Sequence, residues 1–121
     1  MSIWDNSYQA SKETFEVLKE HAKYMTTITY KELGARVGLP AVGTRYPLRF
    51  IRDSICRPLG IPWLNALAVQ KNSWLPGDSF IPDGVIGEGA MHEMLWWRGM
   101  VLQVYAFPWD DFDPETAAKE R

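Results

Sequence analysis

The sequence predicts a small α+β domain, a winged helix-turn-helix in which a β-hairpin wing and an additional C-terminal helix follow the two motif helices. Two observations favour this fold class. A short helix with a capping signature is followed by a Gly-Leu-Pro turn and an arginine-bearing helix. An apolar run of strand length comes next and leads into a polar turn. All 121 residues are expected to form one domain, with the motif and its wing in residues 28–80.

An amphipathic helix is predicted for residues 7–25. Apolar side chains recur there at intervals of three and four residues, which places them on one helical face. Charged side chains fill the opposite face, so this helix is expected to support the motif from one side. The apolar positions are Tyr8, Phe15, Leu18, Ala22 and Met25.

The first helix of the motif is predicted for Tyr30–Val37. Thr29 and Glu32 have the spacing of a capping box, in which each side chain accepts a hydrogen bond from the other residue's backbone N–H. The helix is expected to end at Gly38, because glycine tolerates the left-handed conformation found after many helices. Pro40 cannot continue it.

The second helix of the motif is predicted within residues 44–59. Arg45, Arg49 and Arg52 lie four and three residues apart, so all three are expected to leave one face of the helix. A recognition helix directs cations at phosphates and base edges in this way. The alternative is a solvated face on which Arg49 or Arg52 pairs with Asp53.

The wing is predicted to consist of a strand over residues 63–69, a polar turn over residues 70–73 and a returning limb over residues 74–80. Lys71 would lie at the tip of this hairpin, where it can contact a phosphate. A single lysine at a loop tip is alternatively a solubilising charge.

A long helix is predicted for residues 88–107, with Pro108 ending it. Trp96 and Trp97 are adjacent and must point about 100° apart on a helix, so one is expected in the core and the other partly exposed. The tail, residues 113–121, is expected to be frayed.

The charges are distributed unevenly along the chain. Residues 1–75 contain ten Lys and Arg against six Asp and Glu, whereas residues 76–121 contain three against nine. A basic and an acidic patch can therefore coexist although the net charge is −2. Six tryptophans are unusual in a chain of this size, and tryptophan is favoured both in cores and at interfaces.

No known catalytic or metal-binding pattern is found in the sequence. The single cysteine, Cys56, excludes an internal disulfide and a multi-cysteine zinc site. The two histidines, His21 and His92, are not spaced as a metal motif, and no phosphate-binding glycine loop is present. We therefore expect a non-enzymatic protein without a cofactor or metal. The lone cysteine and the lack of a signal peptide or membrane span predict a cytoplasmic location.

Ile-Thr-Tyr-Lys-Glu-Leu at residues 28–33 and Gly-Leu-Pro-Ala at residues 38–41 resemble the DNA-binding domain of the alkylguanine-DNA alkyltransferases and alkyltransferase-like proteins. That family has a Thr-Tyr-Gly-x-Leu helix start, a Gly-x-Pro-x-Ala turn and an arginine-containing recognition helix. The resemblance covers residues 15–80 and implies a winged helix that contacts DNA. The family's reactive Pro-Cys-His-Arg sequence would fall within residues 62–69, which contain neither Cys nor His, so alkyl transfer is not implied.

These observations predict a DNA-binding or regulatory protein. The residues expected to contact DNA are Tyr30, Arg45, Arg49, Arg52 and Lys71. The alternative is a protein-interaction module that acts as an adaptor, an inhibitor or a homo-oligomer, with exposed tryptophans as anchors. The candidate anchors are Trp74, Trp96, Trp97 and Trp109.

Overall fold

The computed structural model describes residues 2–120, which form a mostly helical fold with a two-stranded parallel sheet. The α-helices are α1 (Ser11–Lys23), α2 (Tyr30–Val37), α3 (Arg45–Phe50), α4 (Arg57–Leu59), α5 (Ala90–Ala106) and α6 (Pro114–Lys119). The strands are β1 (Ile28–Thr29) and β2 (Ala68–Val69). Short 3-10 helices lie at Ile3–Asn6, Ala41–Thr44, Leu64–Leu67, Asp78–Phe80 and Trp109–Asp111. The architecture is compatible with the predicted α+β class.

Helix α1 supports the core, as predicted. Its apolar face buries Phe15, Leu18 and Ala22. That face packs against α3 and the 3-10 helix Leu64–Leu67.

Helix α1 is shorter than predicted because left-handed residues interrupt the chain on both sides. Ala10 has a φ of 66° immediately before the helix, and Met25 has a φ of 54° after it. A right-handed helix cannot pass through this conformation. Tyr8 and Met25 therefore lie outside the helix, and both are exposed.

Helix α2 has the predicted bounds, and its capping box is confirmed. The backbone N–H of Glu32 donates to the Thr29 hydroxyl at 3.2 Å, and the backbone N–H of Thr29 donates to the Glu32 carboxylate at 3.3 Å. Gly38 ends the helix with a φ of 78°. These local interactions were all encoded within ten consecutive residues, which is why the sequence predicted them.

The turn after α2 approaches the helix backbone closely at Gly34. A Cβ atom added there would lie 2.3 Å from the carbonyl oxygen of Leu39. The backbone N–H of Leu39 also donates to the Gly34 carbonyl at 2.9 Å. Only glycine has room for this approach, so Gly34 fixes how the turn leaves α2 and enters the 3-10 helix Ala41–Thr44.

The second predicted helix is present over residues 45–59, but its middle is not α-helical. Ile51–Cys56 forms a π-helix between α3 and α4, and the N–H of Arg57 donates to the carbonyl of Arg52, five residues earlier. Pro58 follows, and in a regular α-helix its ring would clash with the carbonyl four residues before it. The wider π turn relieves that clash.

The prediction of a β-hairpin wing is wrong. Leu64–Leu67 is a 3-10 helix, and only Ala68–Val69 is extended. Strand β2 pairs in parallel with β1, in the register Ile28 to Ala68 and Thr29 to Val69. Residues 64–69 are buried without alternation, and such a short apolar run does not distinguish a strand from a helical turn.

The predicted returning limb is an irregular loop. The N–H of Gln70 donates to the carbonyl of Leu75 at 2.9 Å, and the N–H of Trp74 donates to the carbonyl of Gln70 at 2.8 Å. Asp78–Phe80 then forms a 3-10 turn. We refer to residues 70–77 as the post-strand loop.

Helix α5 has nearly the predicted bounds.

The prediction of a frayed tail over residues 113–121 is wrong for the residues that the structure describes, because Pro114–Lys119 forms helix α6. Residue 121 lies outside the described residues. The N–H of Glu115 donates to the Asp113 carboxylate at 3.0 Å and caps α6, and Pro114 is buried. The Ser2 hydroxyl donates to the Glu115 carboxylate, which ties this tail to the start of the chain.

We predict that Gly34→Ala destabilises the fold by about 1–3 kcal/mol, because the added methyl group meets backbone atoms that cannot move independently. Urea unfolding measures the change in the free energy of unfolding. Gly99→Ala is the matched control, since an added Cβ there meets nothing within 4 Å. That control is expected to gain up to about 1 kcal/mol from helix propensity. Equal effects of the two substitutions would contradict the role assigned to Gly34.

Candidate nucleic-acid interface

The segment that spans the turn and α3 combines positive charge with an absence of carboxylates. Residues 33–52 contain four arginines and no Asp or Glu. We use the name arginine face for a surface defined by four of the solvent-accessible side chains of the turn and α3. They are Val42, Arg45, Tyr46 and the half-buried Arg49.

Arg45 is held in place by its neighbour Tyr46. One guanidinium nitrogen of Arg45 donates to the Tyr46 hydroxyl oxygen at 3.0 Å, and the guanidinium carbon lies 5.0 Å from the centre of the ring. This hydrogen bond, together with the charge of Arg45, lowers the pKa of the Tyr46 hydroxyl. Tyr46 in turn packs against Tyr8, with ring centres 5.5 Å apart. The cation is therefore oriented without being neutralised.

Among residues 2–120, no carboxylate lies within ion-pair distance of Arg45 or Arg49. Arg36, in the last turn of α2, pairs with Glu20 at 3.3 Å on an exposed surface. This pair partly offsets the charge of Arg36, which lies outside the arginine face. The positive charge of the arginine face therefore comes from Arg45 and Arg49.

Arg52 is engaged in contacts within the protein. Its guanidinium makes two hydrogen bonds to the Asp53 carboxylate, at 2.8 and 3.1 Å, and a third to the carbonyl of Ser79 at 2.6 Å. It also lies 5.2 Å from the ring centre of Phe80. The hydrogen bonds from Arg52 lower the pKa of Asp53. For Arg52 the structure therefore shows the predicted alternative, pairing with Asp53, and we leave it out of the arginine face.

Tyr30 connects α2 to the post-strand loop. Its hydroxyl oxygen accepts a hydrogen bond from the backbone N–H of Gly77 at 2.7 Å. Burial raises the pKa of Tyr30, and the Gly77 hydrogen bond opposes that shift. The phenol therefore stays protonated and fixes the loop beside the beginning of α2.

A cavity of about 500 Å³ opens where α2 begins and the two strands end, and we call it the α2 cavity. Most of its exposed wall surface is apolar, and Tyr30 and Val69 are among the residues that line it. Lys71 also lines it, and does not lie at the tip of a hairpin as predicted. The lining residues are Thr29, Tyr30, Lys31, Glu32, Val69, Gln70, Lys71 and Trp74.

Trp74 is unusual in both exposure and conformation. Its side chain is 55% exposed, and its φ of 58° is left-handed. A non-glycine residue pays about 1–2 kcal/mol for this conformation. Strained residues of this kind are concentrated at functional sites. The indole borders the α2 cavity, where a flat ligand can stack on it.

Of the other predicted tryptophan anchors, Trp109 lies in the core, Trp97 packs against it and Trp96 is half-buried outside it, so Trp74 is the one of the four that is largely exposed. Trp109 is 5% exposed and donates from Nε1 to the carbonyl of Val104 at 2.7 Å. Trp97 is half-buried and donates to the carbonyl of Ala66 at 2.8 Å. Trp96 is half-buried and packs edge-on against Trp63, with ring centres 5.7 Å apart.

Cys56 shows no sign of nucleophilic activation. The thiol is fully buried, and burial raises its pKa to about 12, against a smaller opposing effect of a backbone hydrogen bond from Leu64.

In the part of the chain that the structure describes, no group of three His, Cys, Asp or Glu side chains is placed to hold a metal ion. None of the helices over residues 2–120 is long and apolar enough to cross a membrane.

Two residues of the arginine face, Val42 and Tyr46, were missed by the sequence analysis. The signal for Tyr46 was an aromatic residue next to an arginine of the proposed recognition helix. Val42 lies in the turn and is 65% exposed, and no pattern in the sequence indicated this.

No family model, curated protein or solved structure matches this chain. The resemblance to alkyltransferase DNA-binding domains therefore stays a prediction. The function is proposed below from the geometry of the arginine face and the α2 cavity.

We predict that Arg52→Ala lowers the free energy of unfolding by about 1–3 kcal/mol at neutral pH, because it removes charged hydrogen bonds between the helix and the loop near Ser79. The depressed pKa of Asp53 contributes stability above its unfolded pKa of about 3.9, and that contribution disappears as the pH falls through the folded pKa. The difference from the wild type should therefore shrink in acid.

Urea unfolding at neutral and acidic pH measures this effect. Arg45→Ala is the control and should stay within about 0.5 kcal/mol of the wild type, because its side chain is exposed. If Arg52→Ala also changed the free energy of unfolding by less than about 0.5 kcal/mol, Arg52 would not stabilise the loop near Ser79.

Proposed function

We propose that this chain binds duplex DNA through the arginine face, with α2, the turn and residues 45–59 acting as a helix-turn-helix. The observation that carries the proposal is the pair formed by the exposed Arg45 and the half-buried Arg49, on a carboxylate-free segment of an otherwise acidic chain. Phosphate contacts supply most of the affinity of such an interface. The proposal involves binding alone and no chemical step.

The surroundings of the two arginines suit a nucleic-acid groove. Val42 and the residues beside it in the turn have small side chains, so the backbone can approach a DNA strand closely. Tyr46 orients Arg45 at 3.0 Å, which reduces the side-chain freedom that binding removes. Arginine is preferred for such contacts because its planar guanidinium can donate several hydrogen bonds at once.

We predict that the double substitution Arg45→Ala with Arg49→Ala weakens duplex binding and flattens its salt dependence. The slope of log K against log salt concentration should fall by about 0.9 for each phosphate that the variant no longer neutralises. Fluorescence anisotropy with a short labelled duplex, between about 50 and about 200 mM salt, measures both quantities.

Arg57→Ala is the matched control, because Arg57 is an exposed arginine on the same helical segment but lies 3.8 Å from the Asp53 carboxylate. This variant should retain the wild-type slope. If affinity and slope decreased equally in both variants, the result would indicate general charge attraction. Undetectable binding of duplex DNA by the wild type at low salt would exclude the proposal.

We further propose that the α2 cavity accepts an unstacked base, with Trp74 as the stacking surface. Helix α2 has eight residues and is therefore about 12 Å long, with the cavity at its beginning and the turn at its end. Successive nucleotides of one strand are about 3.4 Å apart, so about three or four nucleotides span that length. The α2 cavity and the arginine face can therefore contact one duplex. Lys71, which lines the cavity, can bind the phosphate of the unstacked nucleotide.

We predict that wild-type protein binds a duplex with one extrahelical base more tightly than a fully paired duplex. Base stacking on an aromatic side chain contributes about 1–3 kcal/mol, which corresponds to about fivefold or more in affinity. Trp74→Ala should abolish this preference, whereas Trp74→Phe should keep part of it.

Competition anisotropy with the two duplexes measures the preference. The fully paired duplex supplies the internal control, because its affinity for Trp74→Ala should remain near the wild-type value. A preference that persists without the indole would contradict a stacking role for Trp74.

A further inference from the structure

The segment before α1, residues 2–10, packs against α3 instead of extending α1. Ala10 has a φ of 66°, and a right-handed helix cannot pass through that conformation. The chain turns there, and the backbone N–H of Ser11 donates to the carbonyl of Tyr8 at 3.1 Å. Tyr8 therefore leaves the apolar face of α1, and its ring centre lies 5.5 Å from that of Tyr46 on α3.

The beginning of this segment is anchored to the rest of the fold. The ring centre of Trp4 lies 5.6 Å from that of Phe15 on α1 and 6.0 Å from that of Phe50 on α3. The Ser2 hydroxyl donates to a carboxylate of α6. Tyr8 thus belongs to a segment that is held against α3, so its ring can restrain a side chain of that helix.

Tyr46 connects Tyr8 to Arg45. Its ring packs against Tyr8, and its hydroxyl oxygen accepts the hydrogen bond from the Arg45 guanidinium at 3.0 Å. Tyr46 is itself 39% exposed, and among residues 2–120 Tyr8 is the aromatic side chain that packs on it. Without the Tyr8 ring, Tyr46 would gain rotamer freedom, and so would the arginine bonded to it.

We propose that Tyr8 is a positioning residue for duplex binding, which holds Tyr46 and, through it, the Arg45 guanidinium in the orientation that meets a phosphate. This role rests on the proposed function. A guanidinium that is already ordered loses less conformational freedom on binding, and the freedom of one long side chain changes an affinity by about two- to tenfold.

Fluorescence anisotropy with a short labelled duplex tests this role. Tyr8→Ala should bind about two- to tenfold more weakly than the wild type. The slope of log K against log salt concentration should stay unchanged, because the substitution removes no charge. Tyr8→Phe keeps the ring and should bind like the wild type. Tyr8 is 53% exposed, so both variants are expected to fold.

Tyr24→Ala is the matched control. Tyr24 is 66% exposed and has the Lys23 ammonium 5.9 Å from its ring centre, but it lies at the opposite end of α1 from Tyr8. This variant should bind like the wild type. Wild-type affinity for Tyr8→Ala, or an equal loss of affinity for Tyr24→Ala, overturns the role of Tyr8.

The same substitution in an Arg45→Ala background separates positioning from a direct contact with DNA. If Tyr8 acts through Arg45, Tyr8→Ala should cause no further loss of affinity once the guanidinium is gone. A loss in that background as large as in the wild type overturns the proposal.

Nuclear magnetic resonance titration of protein with isotopically labelled tyrosine tests the contact without DNA, with Tyr46→Phe to assign the signal. The hydrogen bond from Arg45, with the charges of Arg45 and Arg49, holds the pKa of Tyr46 below its usual value of about 10. Tyr8→Ala should raise that pKa toward about 10, whereas Tyr24→Ala should leave it unchanged. An unchanged pKa in Tyr8→Ala overturns the positioning role. Undetectable duplex binding by the wild type would instead exclude the proposed function, so the two failures are distinguishable.

Discussion

The close approach between Gly34 and the carbonyl of Leu39 is the constraint on which the proposed interface depends. At 2.3 Å from that oxygen, no side-chain carbon fits, and the turn can therefore lie directly on α2. This approach determines where the 3-10 helix Ala41–Thr44 begins, and that helix leads without interruption into α3. The orientation of Arg45 and Arg49 thus follows from a backbone contact between two residues that precede both of them, Gly34 and Leu39.

Two further contacts hold the loops around this unit. The Tyr30 hydroxyl fixes Gly77 beside the beginning of α2, and Arg52 fixes the Ser79 carbonyl beside the π-helical segment. Both side chains were predicted to contact DNA, and the structure shows each of them in a contact within the protein. The two proposed ligand surfaces lie at opposite ends of α2: the α2 cavity with Trp74 at one end and the arginine face at the other.

The parts of the fold that were predicted from the sequence are those that short-range interactions determine. Thr29, Glu32 and Gly38 specify α2 through caps within one segment. The parallel pairing of β1 with β2, found in place of the predicted hairpin, was not predictable, because it joins Ala68 to Ile28, forty positions apart, and because the buried run at residues 64–69 has no periodicity. The burial of Trp109 depends likewise on Phe15, which lies on α1 near the opposite end of the chain. Helical spacing alone places Arg45 and Arg49 near each other, whereas the hydrogen bond from Arg52 to the Ser79 carbonyl was not predictable, because it joins residues 27 positions apart.

The central claim, that DNA meets the chain at the turn and α3, is tested most directly by nuclear magnetic resonance. Backbone amide shifts of isotopically labelled protein would be followed as a short duplex is added at low salt. We predict that the largest changes fall on Val42, Arg45, Tyr46 and Arg49, while the amides of Leu95 and Leu102 on α5 change little. Changes concentrated on α5, or none at saturating duplex, would contradict it.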